Sequence, residues 1–135
     1  MNQTVSLSAP AKVNLFLKVL HRRSDGFHEL ETLFQAIDYC DDVLVKLNDL
    51  GQISLEVIGL EVGPVKDNLA YRAASAYREA AGLQEGIHVR LTKHIPAGAG
   101  LGGGSSDAAA VLRGLDYLTE GLLDTEVLKK IASNI

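Results

Sequence analysis

The chain predicts an α+β fold, a two-layer sandwich with a mainly antiparallel sheet and helices on one face. Three observations carry this. Apolar and polar residues alternate with the strand period through most of the first sixty positions. The spacing turns helical near position 67. One more strand, a glycine-rich loop and two helical stretches then follow, and strands first with helices afterwards is the α+β order.

"KVNLFLKVL" (Lys12–Leu20) sets Val13, Leu15, Leu17 and Val19 on one face and Lys12, Asn14, Phe16 and Lys18 on the other. "LETLFQAID", "DVLVKL" and "ISLEVIGL" read as three further strands, parted by "YCD" and "NDLGQ" as turns. Connections this short imply antiparallel neighbours, because a parallel crossover needs a dozen or more residues. In "DNLAYRAASAYREAAG" the residues Leu69, Ala73, Ala76 or Tyr77, and Ala80 share a helical stripe. Asp67 or Asn68 can cap its start, and Gly82 stands where a C-terminal glycine cap belongs. "IHVRLTKHI" returns to strand with Ile87, Val89 and Leu91 inward. A helix from about Ser106 to Leu118 follows the glycine loop, and a last one begins near Asp124.

Composition narrows the function. The 135 residues suit one domain, and no apolar run reaches the roughly eighteen residues of a membrane span. "MNQTVSLSAPAK" has no signal-peptide pattern and Cys40 is the one cysteine, so a cytoplasmic location without disulfides and without a membrane partner is expected. Net charge is −4, and the densest basic group is His21–Arg23, which argues against nucleic acid as a partner. The histidines lack metal-ligand spacing, and Cys40 has no base beside it in sequence.

"PAGAGLGGGSSDAAA" (Pro96–Ala110) packs five glycines between Gly98 and Gly104, directly ahead of a helix. The first N–H groups of a helix lack internal partners and carry partial positive charge. Glycines let phosphate oxygens approach them closely, and Ser105 and Ser106 add hydroxyls, one of which can ligate Mg²⁺. No Gly-Lys-Ser/Thr ending of the Walker kind occurs. Gly98, Gly100 and Gly103 match the dinucleotide pattern, but "DYLTEGLL" is no strand to carry the required acidic residue.

The loop resembles the ATP loop of the GHMP kinases, a family of small-molecule kinases. "PAKVNLFLKV" and "RRSDGFHELETLFQAIDY" resemble signatures of the members that act on a cytidine diphosphate-linked methylerythritol. "KDNLAYRAA" resembles the family's adenine-side helix start, and the four pieces cover almost the whole chain in the expected order. The resemblance implies the GHMP kinase N-terminal fold, which is ribosomal-protein-like. It also implies transfer of the γ-phosphoryl of ATP, with Mg²⁺, to the 2-hydroxyl of that small-molecule substrate, in the non-mevalonate route to isoprenoid precursors.

Site residues follow from the same resemblance. Lys12 becomes a catalytic-site lysine, although alone it reads as a solvated strand lysine. Asn14 holds substrate, Phe27 stacks on the cytosine where many members carry tyrosine, and His28 bonds the base edge. Asn68, which could equally be a simple helix cap, and Leu69 contact adenine. Lys93, otherwise a solvated strand end, reaches toward nucleotide phosphate. Pro96, Ala97, Gly98, Ala99, Gly100, Leu101, Gly102, Gly103, Gly104, Ser105 and Ser106 form the ATP loop, with Ser106 the candidate metal ligand. Asp107 is a first-turn acid favoured by the helix dipole and is not assigned as the base; Asp25 and Gly26 build a turn. Family members carry a "GADVP" stretch whose aspartate is the expected base, and a second domain that closes over the substrate. Residues 1–135 are therefore expected to be the N-terminal, ATP-binding domain, inactive alone and prone to self-association through a bared interface. The alternatives are another GHMP-type kinase and a non-catalytic nucleotide-binding domain.

Overall fold

A computed structural model describes residues 3–135. Among them lie β1 (Gln3–Arg22), β2 (His28–Asn48), β3 (Ile53–Gly59), α1 (Leu69–Ala81), β4 (Gly86–Lys93), α2 (Gly103–Leu118) and α3 (Thr125–Asn134). The strands form one sheet in the order β1-β2-β4-β3. β1 pairs with β2 and β2 with β4 in antiparallel fashion, while β3 runs parallel to β4. The parallel pair departs from the antiparallel neighbours that the short connections imply. Its reason is α1, which lies between β3 and β4 and serves as the crossover that a parallel pair needs.

The two strands read at 30–38 and 42–47 are one long strand, β2. "YCD" does not turn the chain. Pro10 faces Cys40 and Lys12 faces Ala36, so β2 carries extra residues at this point and forms a bulge. Pro10 has no N–H to give to the ladder, and the register breaks beside it.

The alternation then decides what is buried. Val43, Val45 and Leu47 of β2 and Ile87, Val89 and Leu91 of β4 face the helices and are buried. Above them α1 buries Ala70, Ala73, Ala74 and Tyr77, and α2 buries Ala108, Ala110, Val111, Leu112 and Leu115. Ala80, expected on the inner stripe, is exposed; the buried face of α1 is turned toward Ala70 and Ala74. Small residues let the layers approach. A Cβ on Gly114 would stand 3.0 Å from side-chain atoms of Leu7 and Val45, so the bare glycine lets α2 lie this close to the sheet without shifting them. Asn68 caps α1 by accepting from the N–H of Ala70 at 2.9 Å, Gly82 closes it in the left-handed conformation, and Asp124 caps α3.

The far end of the β1–β2 hairpin is different. Leu15, Leu17 and Val19 were expected on a buried face, yet they are 62%, 52% and 57% exposed. Phe16, Leu20, Leu30, Leu33 and Phe34 are exposed as well. Both faces of this arm are bare, because α1 and α2 lie over the other end of the sheet.

Candidate active site

The chain leaves β4 at Lys93, runs through the glycine loop and enters α2 at Gly103, three residues earlier than the sequence suggested. Gly102 is the residue before the helix; it holds φ +69°, in the left-handed region that glycine adopts without strain. Gly103 must also be glycine for another reason: a Cβ there would lie 2.8 Å from Cγ2 of Ile95. The loop is thus pressed onto the end of the core, and the first turn of α2 opens outward, with Gly104 and Ser105 exposed and Ser106 half-buried.

Lys12 meets this loop from β1, 88 positions away from Gly100 in the chain. Its backbone N–H donates to the carbonyl of Leu101 at 2.9 Å. Its Nζ donates to the carbonyl of Gly100 at 2.9 Å and to Oδ1 of Asn14 at 3.2 Å. Nζ also stands 5.2 Å from the centre of the Phe34 ring, within cation–π range. Lys12 is therefore no freely solvated strand lysine. It is seated on the loop ahead of a helix N-terminus. Leu69, at the start of α1, approaches from the other side, its Cδ1 3.7 Å from where a Cβ of Gly104 would stand.

The structure thus brings together Lys12, Asn14, Leu69 and the loop. Phe27 and His28 are not among them. They sit at the tip of the exposed arm, where Arg22 pairs with His28, while Lys12 lies near the arm's base opposite Ala36. The turn between them is built as expected: Asp25 accepts the N–H of Phe27 at 3.0 Å and pairs with Arg23 at 2.8 Å, and the Phe27 ring stands 73% exposed.

Lys93 corrects the sequence reading. It is not an exposed strand end but lies buried beneath the loop. Its Nζ contacts Oδ2 of Asp41 at 2.5 Å and Oδ2 of Asp107 at 2.8 Å. Both carboxylates are buried, and Oδ1 of Asp107 has no hydrogen-bond partner among the described residues. Burial pushes the Asp107 carboxyl up to about 7, helped by the neighbouring Asp41, with Lys93 opposing. For Asp41 burial acts the same way, but hydrogen bonds from Asp107, Lys93 and the N–H groups of Ile95 and His94 outweigh it and hold the group below the ordinary carboxylate value. Burial alone would lower Lys93; its two carboxylate partners raise it instead. Asp107 is therefore a buried member of a charged cluster rather than a surface acid at a helix start.

The family model "GHMP kinases N terminal domain" matches residues 68–135, and the chain belongs to this family. Over 134 residues it is 44% identical to the 4-diphosphocytidyl-2-C-methyl-D-erythritol kinase of Shewanella loihica, covering 99% of this chain and 47% of that protein. A crystal structure of 4-(cytidine 5'-diphospho)-2C-methyl-D-erythritol kinase superposes with a TM-score of 0.78 at 45% identity, over 94% of this chain and 46% of the other. The homoserine kinase of Cytophaga hutchinsonii superposes with a TM-score of 0.71 at 26% identity, over 96% of this chain and 39% of that one. The chain spans about half the length of the curated relatives it matches. The mixed fold expected from the sequence, a sheet with helices on one face, is the fold of this family's N-terminal domain.

Proposed function

We propose that the protein carrying this chain is a kinase that moves the γ-phosphoryl of ATP to the 2-hydroxyl of 4-diphosphocytidyl-2-C-methyl-D-erythritol. The substrate is taken from the names of the relatives; the observation that supports the chemistry is Lys12 seated on the glycine loop. In this reading the nucleotide phosphates lie against the first N–H groups of α2, where the helix leaves donors unmatched. The acceptor oxygen attacks the γ-phosphorus, its proton passes to the aspartate of the "GADVP" stretch that family members carry, and the bond to the bridging β–γ oxygen breaks to release ADP. Lys12, held by Gly100 and Asn14, stabilises the charge that spreads over the transferring group. Asp107 is closed off by Lys93 and is not assigned as the base that takes the hydroxyl proton.

Asn68 and Leu69 border the adenine in this reading, with the Asn68 side chain also serving the cap. Phe27 and His28 hold the cytosine at the arm tip, and the diphosphate-linked substrate extends from there toward Lys12. Among the described residues no three His, Cys, Asp or Glu side chains gather to hold a metal. Mg²⁺ would reach the site on the nucleotide's phosphates, with the Ser106 hydroxyl as its protein ligand, and would neutralise phosphate charge. The exposed arm is a surface that a second domain or a second copy would cover, and a cytoplasmic location belongs to the same reading. No helix among the described residues is long and apolar enough to cross a membrane.

The test is a coupled ADP-release assay on the full-length protein with ATP and Mg²⁺. Turnover with the cytidine substrate and none with homoserine or mevalonate is expected. Turnover with homoserine or mevalonate in place of the cytidine substrate would overturn the assignment.

A further inference from the structure

The cluster beneath the loop has no part in the chemistry proposed above. Its three members come from three elements: Asp41 from β2, Lys93 from β4 and Asp107 from α2. Asp41 uses Oδ1 to accept the N–H groups of His94 at 2.7 Å and Ile95 at 2.9 Å, where the loop leaves the sheet. Its Oδ2 takes Lys93. The same ammonium holds Asp107, one turn inside α2. It also lies directly under the helix start, since a Cβ on Gly103 would stand 3.4 Å from Nζ. One cation thus ties both ends of the glycine loop to a single point in the core.

A buried ammonium and two buried carboxyl groups are a poor source of stability, because well-packed apolar residues of similar volume serve as well or better. They are a good source of fixed geometry: breaking the set leaves a charge unpaired out of water, so the arrangement resists distortion. A loop with five glycines has high intrinsic freedom and gains most from such a clamp.

We infer that Asp41, Lys93 and Asp107 are positioning residues for the loop, locking its start and the first turn of α2 at one separation so that the N–H groups between them converge on a nucleotide phosphate. This rests on the nucleotide reading proposed above. The three residues act through the backbone and do not touch the ligand. The inference moves Lys93 from a phosphate contact to a support beneath it, and gives a role to two aspartates that the proposed reaction leaves unused.

The test uses the full-length protein, with steady-state kinetics in which ATP and the cytidine substrate are varied in turn, and calorimetric titration of ADP. Asp107→Ala should raise the KM for ATP and the Kd for ADP about ten- to hundredfold, the loss expected of one hydrogen bond to a charged group. The KM for the cytidine substrate should stay within about twofold. Asp107→Asn keeps an acceptor for Lys93 in the same place and should recover part of the ADP affinity. A purely structural role would lower the folded fraction and the melting temperature and leave both KM values alone. Folded Asp107→Ala that binds ADP within about twofold of wild type would overturn the inference. If Asp107→Ala does not fold, Lys93→Gln decides by the same criterion. Gly104→Val, which alters the anion cradle itself, separates the positioning role from the nucleotide reading it rests on. If it abolishes ADP binding while the cluster variants do not, the positioning role alone fails. If it too binds ADP as wild type does, the nucleotide reading falls and the positioning role with it.

Discussion

The β1–β2 hairpin can be compared with itself. At its covered end, Val43 and Val45 recur at the strand period and are wholly buried. At its free end, Leu15, Leu17 and Val19 alternate in the same way and are more than half exposed. The local pattern is the same, and the outcome is set by whether a helix lies above. Alternation states which face a strand can bury; it does not say that a partner is there. Lys12 stands where the two regimes meet, half-buried, with its N–H fixed to the loop and its ammonium against it. The candidate site is thus located at the boundary between a packed layer and a bare arm.

The largest effects should fall on the packed side. Leu91→Ala empties a fully buried position and should cost about 2–5 kcal/mol of stability, whereas Leu17→Ala on the arm should cost no more than about 0.5 kcal/mol. Chemical denaturation of the two variants checks this, and a similar loss at both would mean that the arm is covered in solution. At the boundary, Lys12→Ala should lower turnover of the full-length enzyme about 10²–10³-fold, in the range of other single transition-state donors. Its stability should fall by no more than about 1 kcal/mol, because the bonds lost are solvent-exposed. Equal loss of stability and turnover would make Lys12 a strut.

Beneath the loop, the sign of a pH effect follows from Asp107. Its folded-state carboxyl is pushed up to about 7 from an ordinary value of 3.8, so the folded protein keeps a proton that the unfolded chain has released. Stability from this group is fully present below pH 3.8, falls as pH rises toward 7, and levels off above it. Asp41 works in the other direction, but its window lies below 3.8, so the fall between pH 5 and 7 belongs to Asp107. Melting temperatures across that range should decline in the wild type and stay flatter in Asp107→Asn. The smaller effect on function belongs to the arm tip. Phe27→Ala should raise the KM for the cytidine substrate by the equivalent of about 1–3 kcal/mol, the worth of one base-stacking platform, and leave the KM for ATP unmoved. A parallel rise in both would show that the tip and the loop are coupled rather than separate.

The loop, the helices and the inner faces of β2 and β4 could be read from the chain because each carries a local signal: glycine density, caps, and a period of two or of 3.6. What escaped was set by partners distant in sequence. "YCD" has the composition of a turn, yet the ladder from β1 runs through it and leaves a bulge. The parallel placement of β3 depends on which strand it pairs with, and nothing within "ISLEVIGL" states that. The buried cluster was within reach of the same periodicity. Lys93 continues the inward series of Ile87, Val89 and Leu91, and Asp41 that of Val43, Val45 and Leu47. Two charged residues on an inner face were a sign that they meet each other. The third partner, Asp107, shares a helical face with Val111 and Gly114. Their polarity made them read as surface residues, since charged side chains are seldom fully buried unless paired.

Titration of ADP into the full-length wild type and its Gly104→Val variant tests most directly the claim that the opening turn of α2 receives the phosphates of a nucleotide. Gly104 is the position to alter because there is room: its Cβ would make only ordinary contact with Leu69, whereas one on Gly102 or Gly103 would run into Lys12 or Ile95. The variant should therefore fold, with its melting temperature within about 4 °C of wild type. Its branched side chain should stand where a phosphate oxygen has to approach, and ADP affinity should fall about tenfold or more. A folded Gly104→Val protein that binds ADP as tightly as the wild type would contradict the claim.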